Sequence, residues 1–597
     1  MEKRQLKAVF MGEESLVIQC AKIWQEKNHE IAAVVSDTPQ IVDWARQESI
    51  PVVPMQKATG ESLAGIELDY LFCIGDLPVL PDSLVRRARQ STISFHDGPL
   101  PRYAGMYAPV WALLGGEREY GVCFHEVAGG INEGDVLVER SFEIGEDESS
   151  ITLNAKNFEA AVDGFAELVA QLESAELKRS PQNLSAREYF SRHQRPADLC
   201  VVNLEAPAEQ AARLVRALDF GPYPNAFGAA KLMHQGRAIL LGAAELSTAA
   251  ESTPAGTLVK AEDDGLSFQT SDGVITFRGL RAPGGSELSA AEAIAHLGLR
   301  MGDMVVGPTE SQRSEWSEIA ESTARAEEKW VEVLSSLDAV EFPFGTVHED
   351  DLSHSPRARR SVSVPSGAGG SPTPDELLAT LALFLSRLSR QEGFDVALLD
   401  PGIAAKAAVA PGLFRAEVPW RVPHLQADAS YSDASAQIRQ TLAEYRERGP
   451  LMEEAAHRNR ILEAGLAIEN RALLPVLIGQ VDEVASFEAP RGVWLALMID
   501  PSAQTVTIDF DERSLTAAQA DHVAALLDRW LRAVANAPNA PFREMSLLSD
   551  AEHSRMIVEW NATDRDYPSD QTLVSLFEAQ ASRTPDAEAV VCDGQSY

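Results

Sequence analysis

Ile93-Ser94-Phe95-His96-Asp97-Gly98-Pro99-Leu100-Pro101-Arg102-Tyr103-Ala104-Gly105 is the stretch that decides the reading of the amino-terminal third. Residues 92–95 form a short apolar run that predicts a strand. His96 stands at its end, and two prolines and a closing glycine shape the loop that follows. Upstream, short apolar runs alternate with helical patterns. Strands are predicted at 7–11, 31–36, 51–54 and 68–74, and helices at 15–25, 41–48 and 83–88. Downstream, 121–127 and 135–142 read as strands and 150–172 as a long helix. This alternation implies a mostly parallel sheet with helices on both faces. Ligands of such sheets sit beyond the carboxyl ends of the strands, which is where His96 falls.

The whole chain has 597 residues, a length that suggests roughly three to five domains. Its 52 basic and 89 acidic residues give a formal charge of −37, which repels phosphate backbones and makes nucleic acid a poor partner. Five scattered cysteines without a Cys-x-x-Cys pair fit a reduced, cytoplasmic chain with no metal site. The charged start lacks the apolar core of a signal peptide, and no apolar run is long enough to predict a membrane span.

With its His after a strand and its Pro99-Leu-Pro-Arg-Tyr-Ala-Gly105 loop, the deciding stretch resembles the 10-formyltetrahydrofolate-dependent formyltransferases. That family carries Asn-x-His, a Leu-Pro-x-x-x-Gly loop, and an Asp about three dozen residues later. The resemblance implies a Rossmann-like domain in which an amine attacks the formyl carbon. The His would assist proton transfer, the Asp would orient the His, and the Asn amide would bind the oxyanion. By position, His96 is retained, Ser94 replaces the Asn, and Asn132 in Gly130-Ile-Asn-Glu-Gly134 replaces the Asp. Asp135, three residues later, is a candidate substitute carboxylate, and Asp97 and His125 are further polar neighbours. Tyr107 is positioned to narrow the entrance for an amine. The resemblance places the folate cofactor against Leu77, Pro78 and Val79 on one side and Gly130 and Ile131 on the other. Phe220-Gly-Pro-Tyr-Pro-Asn225 and the short strands after it resemble the carboxy-terminal barrel of methionyl-tRNA formyltransferase, which implies a small OB-like β-barrel.

The rest of the chain resembles nonribosomal peptide synthetases. Leu377 to Arg390, Phe414-Arg-Ala-Glu-Val-Pro-Trp420, Pro475-Val-Leu-Ile-Gly479 and Gln504-Thr-Val-Thr-Ile-Asp-Phe-Asp511 resemble the carboxy-terminal lobe of condensation domains, an α/β unit. No two of the 12 histidines are adjacent, so the His-His motif of condensation chemistry is missing. Trp560-Asn-Ala-Thr followed by Tyr567-Pro568 resembles the lead-in to an adenylation domain, cut short at Tyr597. The expected architecture is an α/β multidomain chain. It comprises a formyltransferase-like domain at 1–185, its β-barrel at 198–307, a helical linker plus condensation-lobe-like unit at 308–548, and the start of an adenylation domain at 549–597. The expected partners are downstream adenylation and carrier domains. The altered triad points to an impaired or silent transferase serving as a structural module. The alternative is active N-formylation of a carrier-bound aminoacyl group or a hydroxylamine.

Overall fold

The computed structural model describes residues 5–596 except 76, 78, 175, 248–252, 346–355, 368–369, 460–471 and 503. Its amino-terminal unit runs β1 (Lys7–Gly12), α1 (Leu16–Glu26), β2 (Glu30–Val35), α2 (Pro39–Gln47), β3 (Val52–Val53), β4 (Tyr70–Ile74), α3 (Asp82–Val85) and β5 (Ser91–His96). It continues with β6 (Ala104–Gly105), α4 (Ala108–Gly115), β7 (Glu119–Glu126), β8 (Val136–Glu143) and α5 (Ser150–Ser174). Seven strands form one sheet in the order β3-β2-β1-β4-β5-β7-β8. The strands from β3 to β5 are parallel, whereas β7 runs antiparallel to both β5 and β8. The chain order reverses between β1 and β4, as in a doubly wound Rossmann-like sheet.

Both faces of this sheet are covered, so its central strands are apolar on both sides. Phe10, Phe72 and Phe124 pack with Trp24 of α1 and Phe165 of α5, with Phe10–Phe72 and Phe72–Phe165 ring centroids 5.1 and 5.0 Å apart. Val9, Met11, Leu71 and Cys73 pack on the opposite face with Leu63 and Leu84. Fully burying rings and branched side chains of this size contributes about 1.5–3 kcal/mol each, so the alternating pattern pins the strand register.

Where a small barrel is expected, the strands fall into two separate sheets. A hairpin pairs Lys231–His234 with Arg237–Leu240. A four-stranded antiparallel sheet orders Ala243–Ser247, Val274–Arg278, Gly265–Gln269 and Leu258–Glu262. The helix Ala208–Ala217 joins their core.

A long helix, Glu310–Ser335, starts in a capping box in which Thr309 and Gln312 satisfy each other's backbone N–H groups. Its first half packs Trp316, Ile319 and Ala320 against Leu199, Val201 and Phe414, and its second half sends Ala326, Trp330 and Leu334 into the next core. That core belongs to a mixed six-stranded sheet ordered Arg357–Ser363, Thr505–Asp511, Leu495–Asp500, Val476–Gln480, Phe394–Leu399 and Glu417–Val422. The helices Pro374–Ser389, Tyr431–Arg448 and Ala517–Asn536 contribute to it. None of residues 550–596 is buried, and Trp560, Tyr567 and Phe577 are 66%, 77% and 65% exposed.

Candidate functional site

The antiparallel pairing of β5 and β7 builds the site. Ser94 lies opposite His125, and His96 lies opposite Cys123. Residues two apart in a strand share a face, so these four side chains stand on one side of the sheet. Ile93, Phe95, Val122 and Phe124 take the other side, in the core beneath α5. The sheet therefore places two imidazoles close together, both buried.

Several carbonyl groups of the loop after β5 accept hydrogen bonds from the sheet. The Tyr120 hydroxyl donates to the Asp97 carbonyl (2.7 Å), and the Cys123 thiol donates to that of Gly98 (3.5 Å). The His96 Nε2–H donates to the Tyr103 carbonyl at 2.6 Å. Because a carbonyl can only accept, this bond fixes the proton on Nε2 and leaves Nδ1 as a lone pair, 3.7 Å from an Asp97 carboxylate oxygen. Burial pushes the His96 imidazole down to about 4, against the weaker opposing pull of the Tyr103 carbonyl. His96 is thus a neutral ring whose only N–H is already committed.

Asn132 has a left-handed backbone (φ 56°) and bridges two partners. Its Oδ1 accepts from the Gly105 N–H at 3.0 Å, and its amide donates to His125 Nε2 at 3.3 Å. The other His125 nitrogen donates to the Glu126 carbonyl at 2.9 Å. Burial lowers the His125 imidazole to about 4; the Glu126 carbonyl opposes this and the neighbouring His96 adds to it. Among the described residues the Ser94 hydroxyl reaches only the carbonyl of Phe95, at 3.4 Å. Asp135 sits just before β8, where its charge acts on Arg179, itself in a bidentate pair with Glu126. No hydrogen bond joins Ser94, Asn132 or Asp135 to His96. The structure therefore brings Asn132 to His125, a side chain noted in the sequence only as a polar neighbour.

The residues expected to hold folate are divided. Leu77 is half-buried against the core of the β4 side, Val79 is 78% exposed, and Pro78 lies outside the described residues. On the facing turn, the Gly130 N–H donates to the Glu133 carboxylate (3.0 Å), and the Ile131 carbonyl accepts from Arg187 (2.9 Å). Gln182 donates to the carbonyls of Asn132 (2.9 Å) and Gly134 (2.6 Å). On this turn the Gly130 N–H and the carbonyls of Ile131, Asn132 and Gly134 are thus bonded to the protein's own side chains. Gln182 and Arg187 belong to a strap that also pairs Tyr189–Phe190 with β6. Nothing in their local sequence marks them. Tyr107 turns towards the next unit, with its ring edge-on to Phe227 at 4.6 Å. Among the described residues no cluster of metal-ligating side chains exists, and no helix is long and apolar enough to cross a membrane.

A Rossmann-like sheet with a His-ended strand and a proline-shaped loop, followed by a small unit of antiparallel strands and helices, defines a formyltransferase-like pair of domains. Residues 7–169 match the formyl transferase family, and residues 196–297 match the formyl transferase carboxy-terminal domain. The methionyl-tRNA formyltransferase of Coxiella burnetii is 25% identical over 305 residues, which cover 48% of this chain and 95% of that enzyme. The corresponding Geobacter metallireducens enzyme is 25% identical over 313 residues, covering 50% and 97%. Among solved structures, the sugar 3N-formyl transferase WlaRD, crystallised with dTDP and 5-N-formyl-THF, aligns with 46% of this chain and 98% of its own. It is 15% identical, with a TM-score of 0.38. HypX from Aquifex aeolicus, in complex with tetrahydrofolic acid, aligns with 54% and 58%, at 18% identity and a TM-score of 0.37.

Proposed function

We propose that residues 1–307 are a formyltransferase-like module that no longer transfers a formyl group. In this reading it serves as a structural cap on a peptide synthetase. The observation that carries it is the His96 bond to the Tyr103 carbonyl, with Asn132 engaged by His125 instead of by His96. Acyl transfer needs a base free to take the amine proton and a donor aimed at the developing oxyanion. Here the His96 N–H is held by a backbone carbonyl instead of a carboxylate, no side chain at 132 engages the ring, and the Ser94 hydroxyl is shorter than an amide donor. Loss of one oxyanion donor typically costs about 100- to 1,000-fold, and a triad acts as a unit. When bound, 10-formyltetrahydrofolate would supply the formyl carbon. The occupied Gly130–Gly134 turn speaks against its binding, and no step is derived through it.

The synthetase context rests on the condensation-lobe-like motifs of 361–548 and on the Trp560-to-Pro568 lead-in. The mixed α/β sheet of the third unit and the open apolar surface of 550–596 are compatible with it. Its partners would be the adenylation and carrier domains downstream, in the cytoplasm. The OB-like barrel assigned to 198–307 belongs to the same reading. The methionyl-tRNA relatives do not transfer their substrate to this chain, because a formal charge of −37 opposes a phosphate backbone.

The test is calorimetry of the full chain with 10-formyltetrahydrofolate, then single-turnover assays with an aminoacyl carrier protein. No binding and no formyl product are expected. Formyl transfer that disappears in His96→Ala would overturn the reading and restore the active alternative.

A further inference from the structure

We infer that His125 is the positioning residue that fixes the silent arrangement: by accepting the Asn132 amide it keeps residue 132 on itself and away from His96. This rests on the reading of a silent site and adds a cause to it.

β5 and β7 put His125 directly opposite Ser94, one step along the same face from His96. Each of the two rings keeps one lone pair. His125 Nδ1 carries its proton towards the Glu126 carbonyl, which leaves Nε2 as an acceptor. His96 gives its N–H to Tyr103, and its own lone pair, on Nδ1, lies beside the Asp97 carboxylate at 3.7 Å. A side chain at 132 must therefore donate to His125 and also accept from the Gly105 N–H, as the observed 3.3 and 3.0 Å contacts show. An Asn amide does both at once. An Asp offers only acceptors and would face the His125 lone pair, unless that ring took up a proton. Asn132 and His125 are thus chemically matched. Gln182, bonded to the Asn132 carbonyl, fixes the backbone from which the match is made.

The consequence is that replacing Asn132 by Asp does not rebuild an Asp–His96 pair. The new carboxylate draws a proton onto His125. The charged and titratable groups around that ring are Glu126 with its partner Arg179, His96 on β5, and the Ser94 hydroxyl across the ladder.

The experiment is NMR titration of the full chain with isotope-labelled histidine, assigned by His125→Met and His96→Gln. In Asn132→Asp the His125 ring is expected to titrate about 1–3 pH units higher than in the native chain, the effect of a carboxylate at contact distance, with His96 unmoved. A shift of that size at His96, or no shift at either ring, overturns the proposal. In His125→Met the Asn132 side-chain amide is expected to lose its protection from exchange, and unchanged protection would count against the pairing. Formyl transfer by the native chain would refute the silent reading without altering which ring responds, so the two failures are distinguishable.

Discussion

His96 and His125 also make the amino-terminal unit sensitive to acid. Both rings are held near 4 in the folded protein, below the usual 6.5. Between about pH 6.5 and pH 4 the unfolded chain binds protons that the folded rings refuse. Stability therefore falls as pH drops through that window, and the effect levels off below it. Each ring contributes about 1.4 kcal/mol per pH unit there, roughly 3 kcal/mol in all. Amide-exchange free energies in β5 and β7, measured at several pH values between 4 and 7, should fall more steeply in the native chain than in a His96→Gln/His125→Met variant. Equal slopes would show that the rings are not buried in their neutral form. The sequence made His96 legible, because a His after a strand and before a Pro-rich loop is a local signal. It did not reveal which way the Asn132 amide points, since that depends on a partner on a different strand.

The strap between α5 and the second unit is the element that closes the site. Gln182 donates to two carbonyls of the Gly130–Gly134 turn, and Ser180 and Val136 exchange a pair of backbone bonds at 2.9 Å. The strap's Phe190 carbonyl comes so near Gly105 that a Cβ there would stand 2.1 Å from it, and Gly105 has φ 105°. Only glycine fits that crossing. Gln182→Ala strips the hydrogen-bond donor from two carbonyls and should cost about 1–3 kcal/mol, seen as faster exchange across 130–136 than elsewhere in the sheet. Uniform exchange would mean that the strap does not clamp the turn. Strands and helices of the sheet were readable from their apolar periods. The strap was not, because its side chains are polar and act through backbone groups far away in sequence.

Across the whole molecule, the second and third units are joined by buried charge. Lys231, Glu454 and Arg458 are at most 2% exposed, with Lys231 2.9 Å and Arg458 3.3 Å from the Glu454 carboxylate. Arg458 also meets Glu327 of the long helix at 2.6 Å and donates to the Asn225 carbonyl at the same distance. The Lys231 ammonium donates to the carbonyls of Leu199 and Ala229, both at 2.9 Å, so its charge is fully solvated by protein. Removing one partner of such a cluster typically costs about 3–5 kcal/mol, because the others stay buried without compensation. Glu454→Ala should split a single unfolding transition of residues 196–545 into two, with the lower one shifted by that amount in calorimetry. One unchanged transition would show that the junction is not what couples the units.

The sequence alone determined the apolar periods of the strands and helices, the His-ended strand, the loop after it and the acidic surface. Each of these is set by residues near one another in the chain. The tertiary structure decided which nitrogen of His96 holds its proton, that Asn132 serves His125, that a strap occupies the turn expected to bind folate, and that buried ions lock the second unit to the third. Each of these needs hydrogen-bond partners contributed by distant segments. A buried polar group takes whichever partner the fold brings within reach, and no local pattern records that choice.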